Sequence, residues 1–93
     1  MILVSWNCRG MGSSLKANAV RDLIKAEQPD FLLLQETKIS EQEFQNSLIR
    51  NRKYEGIAMS AIGASGGIGV IWKKSNWNLT NNKQNRWCIR IDM

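Results

Sequence analysis

The sequence predicts an α/β domain that opens with a strand–helix–strand unit and ends in a β meander. Three observations carry this. Two continuous apolar runs, at 2–6 and 31–34, are separated by apolar residues at helical spacing. The whole unit fits the ~30 residues of a βαβ crossover. Residues 86–92 then alternate apolar and polar, as a half-buried strand does.

The elements follow in order. Ile2, Leu3, Val4, Ser5 and Trp6 form a strand ending at Asn7, and Gly10 and Gly12 mark the turn behind it. Ser13 or Ser14 caps a helix of about four turns, whose apolar stripe is Ala19, Val20, Leu23 and Ile24. Pro29 stops that helix, and Phe31 to Leu34 form a second strand ending at Gln35 and Glu36. Uninterrupted apolar runs suit strands covered on both faces. Ser40 caps a short helix over 41–49, with Glu41 and Glu43 complementing its dipole. The charged run 50–53 reads as a loop, 54–60 as a strand, 62–67 as a hairpin turn and 68–73 as a strand. A short strand at 77–80 and a polar turn at 81–85 precede the final strand, where Trp87, Ile89 and Ile91 share a face. Trp72 and Trp87 lie within apolar strands and are expected to pack rather than to stack bases.

Composition narrows the chemistry. The 93 residues carry 13 Lys and Arg against 8 Asp and Glu, a net charge of +5. At 43% hydrophobic and 23% charged residues the composition is globular, and the length allows one domain at most. The chain has no histidine, which excludes Ser-His-Asp and Cys-His couples and His-ligated zinc. Cys8 and Cys88 make neither a disulfide framework nor a zinc site, and Cys8, with no base beside it, reads as a small buried hydrophobe. An intracellular protein is expected, with no membrane segment and no small-molecule cofactor. Charge sums to +1 over residues 1–30, zero over 31–60 and +4 over 61–93, from Lys73, Lys74, Lys83, Arg86 and Arg90. Such a basic end suits either a polyanionic partner or a merely solvated surface.

Topology places the candidate site. The two strands of a βαβ unit run parallel, so Asn7 and Glu36 emerge at the same edge of the sheet, the edge where α/β sheets bind ligands. Neighbouring strands lie about 5 Å apart, so an amide and a carboxylate can serve one ion or one phosphate. A hard divalent cation takes oxygen ligands, often one or two carboxylates with waters. Spacing alone favours the plainer reading, with Glu36 an exposed strand-end carboxylate and Asn7 a turn former.

The wording of the motifs adds to this. Ser5-Trp6-Asn7-Cys8-Arg9-Gly10, then Pro29-Asp30, then Leu34-Gln35-Glu36-Thr37-Lys38 resembles the opening of the endonuclease/exonuclease/phosphatase family, the DNase I-like fold. Ala64-Ser65-Gly66-Gly67-Ile68-Gly69-Val70 looks like that family's later Gly-Gly strand. The variant Asn7-Cys8-Arg9-Gly10-Met11-Gly12 looks closest to the endonuclease module of plant LINE-type retrotransposons. The resemblance implies a Mg²⁺-dependent phosphodiesterase acting on DNA, with Mn²⁺ an alternative ion and the nucleus the expected place. It implies that Glu36 binds the metal and that Asn7 lies at the same site, both counted as catalytic and metal-binding. Arg9 and Lys38, on loops beside them, can contact the nucleic-acid backbone or stand as solvated surface charges. It further implies that residues 1–93 are the N-terminal part of a longer domain, about half of a four-layer α/β sandwich. The family's later Asp, its partner Asn and its terminal Ser-Asp-His do not occur here, so the chain alone is expected to be inactive. Two rivals stand beside this reading: a basic nucleic-acid-binding module without catalysis, and a non-functional retroelement remnant.

Overall fold

The structure, a computed structural model, describes residues 1–11, 14–48, 53–60, 66–75, 77, 80–85 and 88–92. Its elements run β1 (Leu3–Asn7), α1 (Ser14–Glu27), β2 (Phe31–Gln35), α2 (Glu41–Ser47), β3 (Tyr54–Met59), β4 (Ile68–Lys73), β5 (Asn81–Asn85) and β6 (Cys88–Asp92). The first four strands form one sheet in the order β1-β2-β4-β3, and β5 and β6 form a separate two-stranded ladder. β1 and β2 are parallel, and β4 is antiparallel to both β2 and β3. The mixed α/β architecture expected from the sequence, a βαβ opening followed by antiparallel strands, is what forms.

Register decides which residues meet. Pairing Val4 with Leu32, Trp6 with Leu34, Leu32 with Ile71 and Ile71 with Gly56 puts these residues on one face. Leu32, Leu34 and Ile71 are fully buried there, beneath Ala17, Val20 and Ile24 of α1 and Phe44 of α2. A Cβ on Gly69 would sit 2.3 Å from the Phe44 ring, so glycine is what lets α2 seat on β4. Ser40 caps α2 by accepting from the Glu43 amide, as the sequence predicts. α1 ends with Gln28 in the left-handed region (φ 43), its amide bonded to the Ile24 carbonyl at 2.9 Å, just before Pro29.

The other face is less covered. Trp72 and Val70 are buried on it, and Trp77 packs its ring against Phe31 at 5.1 Å. Leu3 there is 56% exposed, so β1 is not covered on both faces as its apolar run suggested. β1 is one of the two edge strands, and an apolar run at a sheet edge can end half-solvated.

Several expectations are corrected. After β2 the strands pair as consecutive antiparallel hairpins, β3 with β4 and β5 with β6, and it is β4 rather than β3 that lies beside β2. Insertion between β2 and β3 lets the apolar β4 pair on both sides, whereas β3, with exposed Glu55, takes the edge. The polar run at 81–85 is strand β5 rather than a turn, since pairing with β6 satisfies its backbone whatever its side chains. On α1 the buried stripe runs through Ala17 rather than Ala19, with Val20 and Ile24. α2 stops at Ser47 with Leu48 as its cap. Trp77 and Thr80 belong to no strand, and Asn78 and Leu79 lie outside the described residues. So do Ser13, Arg86, Trp87 and the first part of the 62–67 turn.

Candidate active site

The pairing of β1 with β2 does not stop where the strands do. Past Asn7 and Gln35, the Cys8 amide donates to the Gln35 carbonyl (2.8 Å), Gly10 to Glu36 (2.7 Å) and Met11 to Thr37 (2.7 Å). On the far side of the same segment, Thr37 donates to Gly67 (3.0 Å) and Lys38 to Gly66 (2.9 Å). Three loops, after β1, after β2 and before β4, are thereby laced into one corner.

The lacing needs unusual backbone. Arg9 (φ 53), Glu36 (φ 52) and Lys38 (φ 55) all sit in the left-handed region, beside Gly10 (φ 102), Gly66 (φ 80) and Gly67 (φ 93). For a residue with a Cβ that conformation costs about 1–2 kcal/mol. Glu36 is therefore the first residue beyond β2 rather than its last. Each loop alternates inward and outward: Cys8, Met11, Thr37 and Ile39 are buried, whereas Arg9, Glu36 and Lys38 are exposed. The buried members anchor the corner in the core, and the strained members present their charges to solvent. Backbone strain held by surrounding structure is characteristic of functional corners.

All four candidate residues lie in this corner, Asn7 at the end of β1 and the other three on the loops. The Asn7 Oδ1 accepts from the Arg9 amide at 3.2 Å, so Asn7 forms the turn that closes β1. The Lys38 stem passes over Gly10, where a Cβ would lie 3.6 Å from Lys38 Cδ. Cys8 is buried beneath them, and burial pushes its thiol above its ordinary pKa, against the opposing pull of Lys16 and the Gln35 backbone bond. A thiol so held is a poor nucleophile, in agreement with its reading as a small hydrophobe.

Two further residues shape the corner, and sequence reasoning missed both roles. Lys16, in the first turn of α1, turns its Nζ back onto the carbonyls of Cys8 (2.7 Å) and Arg9 (3.3 Å). Gly67, read as a hairpin turn, lies so close to Thr37 that a Cβ would meet Thr37 Oγ1 at 2.3 Å and the Lys38 amide at 2.9 Å. The signal for Lys16 was a lysine in the first turn of a helix, where an acidic residue is favoured. The signal for Gly67 was the Gly66-Gly67 pair itself.

As a metal site the donor set fits in part. Glu36 offers a hard carboxylate, exposed just past the end of β2 on the segment bonded to the loop that follows Asn7, which suits an ion that keeps most of its waters. Among the described residues no three Asp, Glu, Cys or His groups gather to form a closed cage. The corner can hold a hydrated cation by one carboxylate and can face an anion with Arg9 and Lys38.

Solved structures share this fold. The AP endonuclease LMAP from Leishmania major is 30% identical, with a TM-score of 0.65 over 78% of this chain and 24% of that one. A 3′ phosphatase, NExo from Neisseria, solved bound to a product DNA hairpin, is 21% identical, with a TM-score of 0.65 over 77% of this chain and 27% of that one. The catalytic domain of Xenopus laevis APE2 is 22% identical, with a TM-score of 0.58 over 81% of this chain and 24% of that one. The chain thus spans about a quarter of the length of each. No curated protein matches it. Residues 4–92 match the endonuclease/exonuclease/phosphatase family from end to end of the fold described above, and the chain belongs to that family.

Proposed function

We propose that this chain carries the metal-holding and phosphate-facing part of a Mg²⁺-dependent phosphodiesterase that acts on DNA, within a longer domain that supplies the remaining groups. The observation that supports this best is the strained corner. Glu36 and Asn7 stand at adjacent parallel strand ends, and the Gly10 amide ties one loop to the Glu36 carbonyl. The solved relatives named as AP endonuclease and as a 3′ phosphatase bound to DNA point the same way. A bound Mg²⁺ would neutralise charge on the phosphoryl group and on the leaving oxygen. Glu36 would hold that ion, with Mn²⁺ able to replace it. Asn7, its Oδ1 occupied by the Arg9 amide, would turn its Nδ2 to a phosphate oxygen or a water. Arg9 and Lys38 would hold the flanking backbone phosphates, Arg9 by paired donors and Lys38 as a point charge.

With no histidine in the chain, no imidazole of its own can take a proton from an attacking water. We therefore read the chain by itself as inactive, residues 1–93 being the first part of the domain. From the resemblance of the run Asn7 to Gly12 we infer a LINE-type retroelement origin, with the nucleus as the place of action.

Plasmid nicking tests the reading directly. The purified chain is expected to give no nicking with Mg²⁺ above EDTA and Glu36→Ala controls. When joined to the remainder of a family domain, it should nick, and Glu36→Ala should reduce that rate by at least about a hundredfold. Salt-sensitive DNA binding indifferent to Mg²⁺ and to Glu36→Ala, with no nicking in either form, would replace the reading with a non-catalytic binding module.

A further inference from the structure

We propose that Lys16 is a positioning residue: its ammonium holds the left-handed Arg9 loop closed, and through that loop fixes where Asn7 and Glu36 stand. The proposal rests on the reading of Asn7 and Glu36 given above.

α1 has no acidic residue in its first turn and carries a lysine there instead. A cation at a helix N-terminus is opposed by the helix dipole, so something else must hold it. The Nζ of Lys16 donates to the Cys8 carbonyl at 2.7 Å and to the Arg9 carbonyl at 3.3 Å. These carbonyls belong to the two peptides on either side of the Arg9 Cα, the atom whose φ is 53. One ammonium therefore pins both peptide planes that define the strained residue. Each plane has a second bond that leads to the site. The Arg9 amide, in the first peptide, donates to Asn7 Oδ1 at 3.2 Å. The Gly10 amide, in the second, donates to the Glu36 carbonyl at 2.7 Å. A charge-assisted bond of this kind is about twice as strong as a neutral one, enough to offset a left-handed residue. A local preference is broken at α1 where a site is held, the pattern expected of functional strain.

The sign of the effect separates positioning from simple proximity. A lysine that only stood near a cation site would repel the cation, and its removal would tighten binding. A lysine that positions the site does the reverse.

The test uses the 93-residue chain with Lys16→Met and Lys16→Arg, read by NMR. In Lys16→Met the amides of Gly10 and Met11 should exchange with solvent about tenfold faster, whereas amides in the centres of β2 and β4 keep their rates. Titrated with Mn²⁺ as the probe, the Glu36 amide should broaden at several-fold higher ion concentration in Lys16→Met. Lys16→Arg, which keeps the charge and can donate to both carbonyls, should restore both readouts in large part. Unchanged exchange at Gly10 and Met11, exchange that quickens across the whole sheet, or tighter Mn²⁺ binding in Lys16→Met would each overturn the proposal. If Mn²⁺ fails to broaden Glu36 in the unaltered chain, the metal reading falls, and the exchange rates alone decide the role of Lys16.

Discussion

The two ends of the four-stranded sheet use the same kinds of bond to opposite effect. At the end where β1 and β2 begin, polar groups close on one another. Asp30 accepts from the Ile2 amide through Oδ2 (2.8 Å) and donates its own amide to the Ile2 carbonyl (2.8 Å). The Lys73 amide donates to the Asp30 carbonyl (3.2 Å), and the buried Tyr54 hydroxyl to the Pro29 carbonyl (2.9 Å). The left-handed residue near this end, Gln28, does no more than stop α1. At the other end, three residues with side chains adopt that conformation, and their charges face solvent. The first end is relaxed and inward; the second is strained and outward. The Pro29-Asp30 pair, which helped identify the family, thus works in structure, at the end of the sheet away from Asn7 and Glu36.

Four measurements would break or sharpen this contrast. Gly67→Ala has the largest expected effect. Its Cβ would collide with Thr37 and the Lys38 amide at a left-handed position, which should cost about 2–4 kcal/mol in urea unfolding. Tyr54→Phe, at the relaxed end, should cost about 1–2 kcal/mol because the Pro29 carbonyl loses its buried partner. The Glu36 and Lys38 amide shifts should stay unchanged in that variant; if they move, the two ends are coupled and the contrast fails. Lys38→Gly should stabilise the chain by about 0.5–1 kcal/mol, since glycine relieves the left-handed strain. The same substitution should weaken salt-dependent DNA binding. A loss of stability there would mean that Lys38 is not strained.

Alkaline titration is the subtlest. Burial raises the pKa of Cys8 at the strained end and of Tyr54 at the relaxed end, the latter helped by Asp30. The folded chain then holds each proton more tightly than the unfolded chain does. The stability each contributes is complete below its unfolded value, ordinarily 9.0 for Cys8 and 10.0 for Tyr54, and is lost as pH rises through the folded one. Cys8→Ala should flatten the earlier part of the decline in melting temperature and Tyr54→Phe the later part.

How much of this was legible in advance varies by residue. Asn7 and Glu36 could be placed together because a parallel βαβ unit leaves no other arrangement of its strand ends. Ser40 could be named as a cap because the serine and Glu43 stand at capping distance in sequence. The left-handed Arg9, Glu36 and Lys38 could not be read, since none is glycine, asparagine or aspartate. Nothing local marks them, because the loops around them impose the conformation. Nor could the role of Lys16, whose partners lie on a loop that its own helix follows.

The sequence by itself determined the βαβ opening, the strands near 54–60 and 68–73, and the sheet edge at which Asn7 and Glu36 emerge. Those features follow from periodicity, caps and breakers, which act over a few residues. The tertiary structure decided the insertion of β4 between β2 and β3, the pairing of the polar β5 and the lacing of three loops around Glu36. Each of these is a contest between alternative partners for the same backbone groups, and register and burial across the whole sheet settle it.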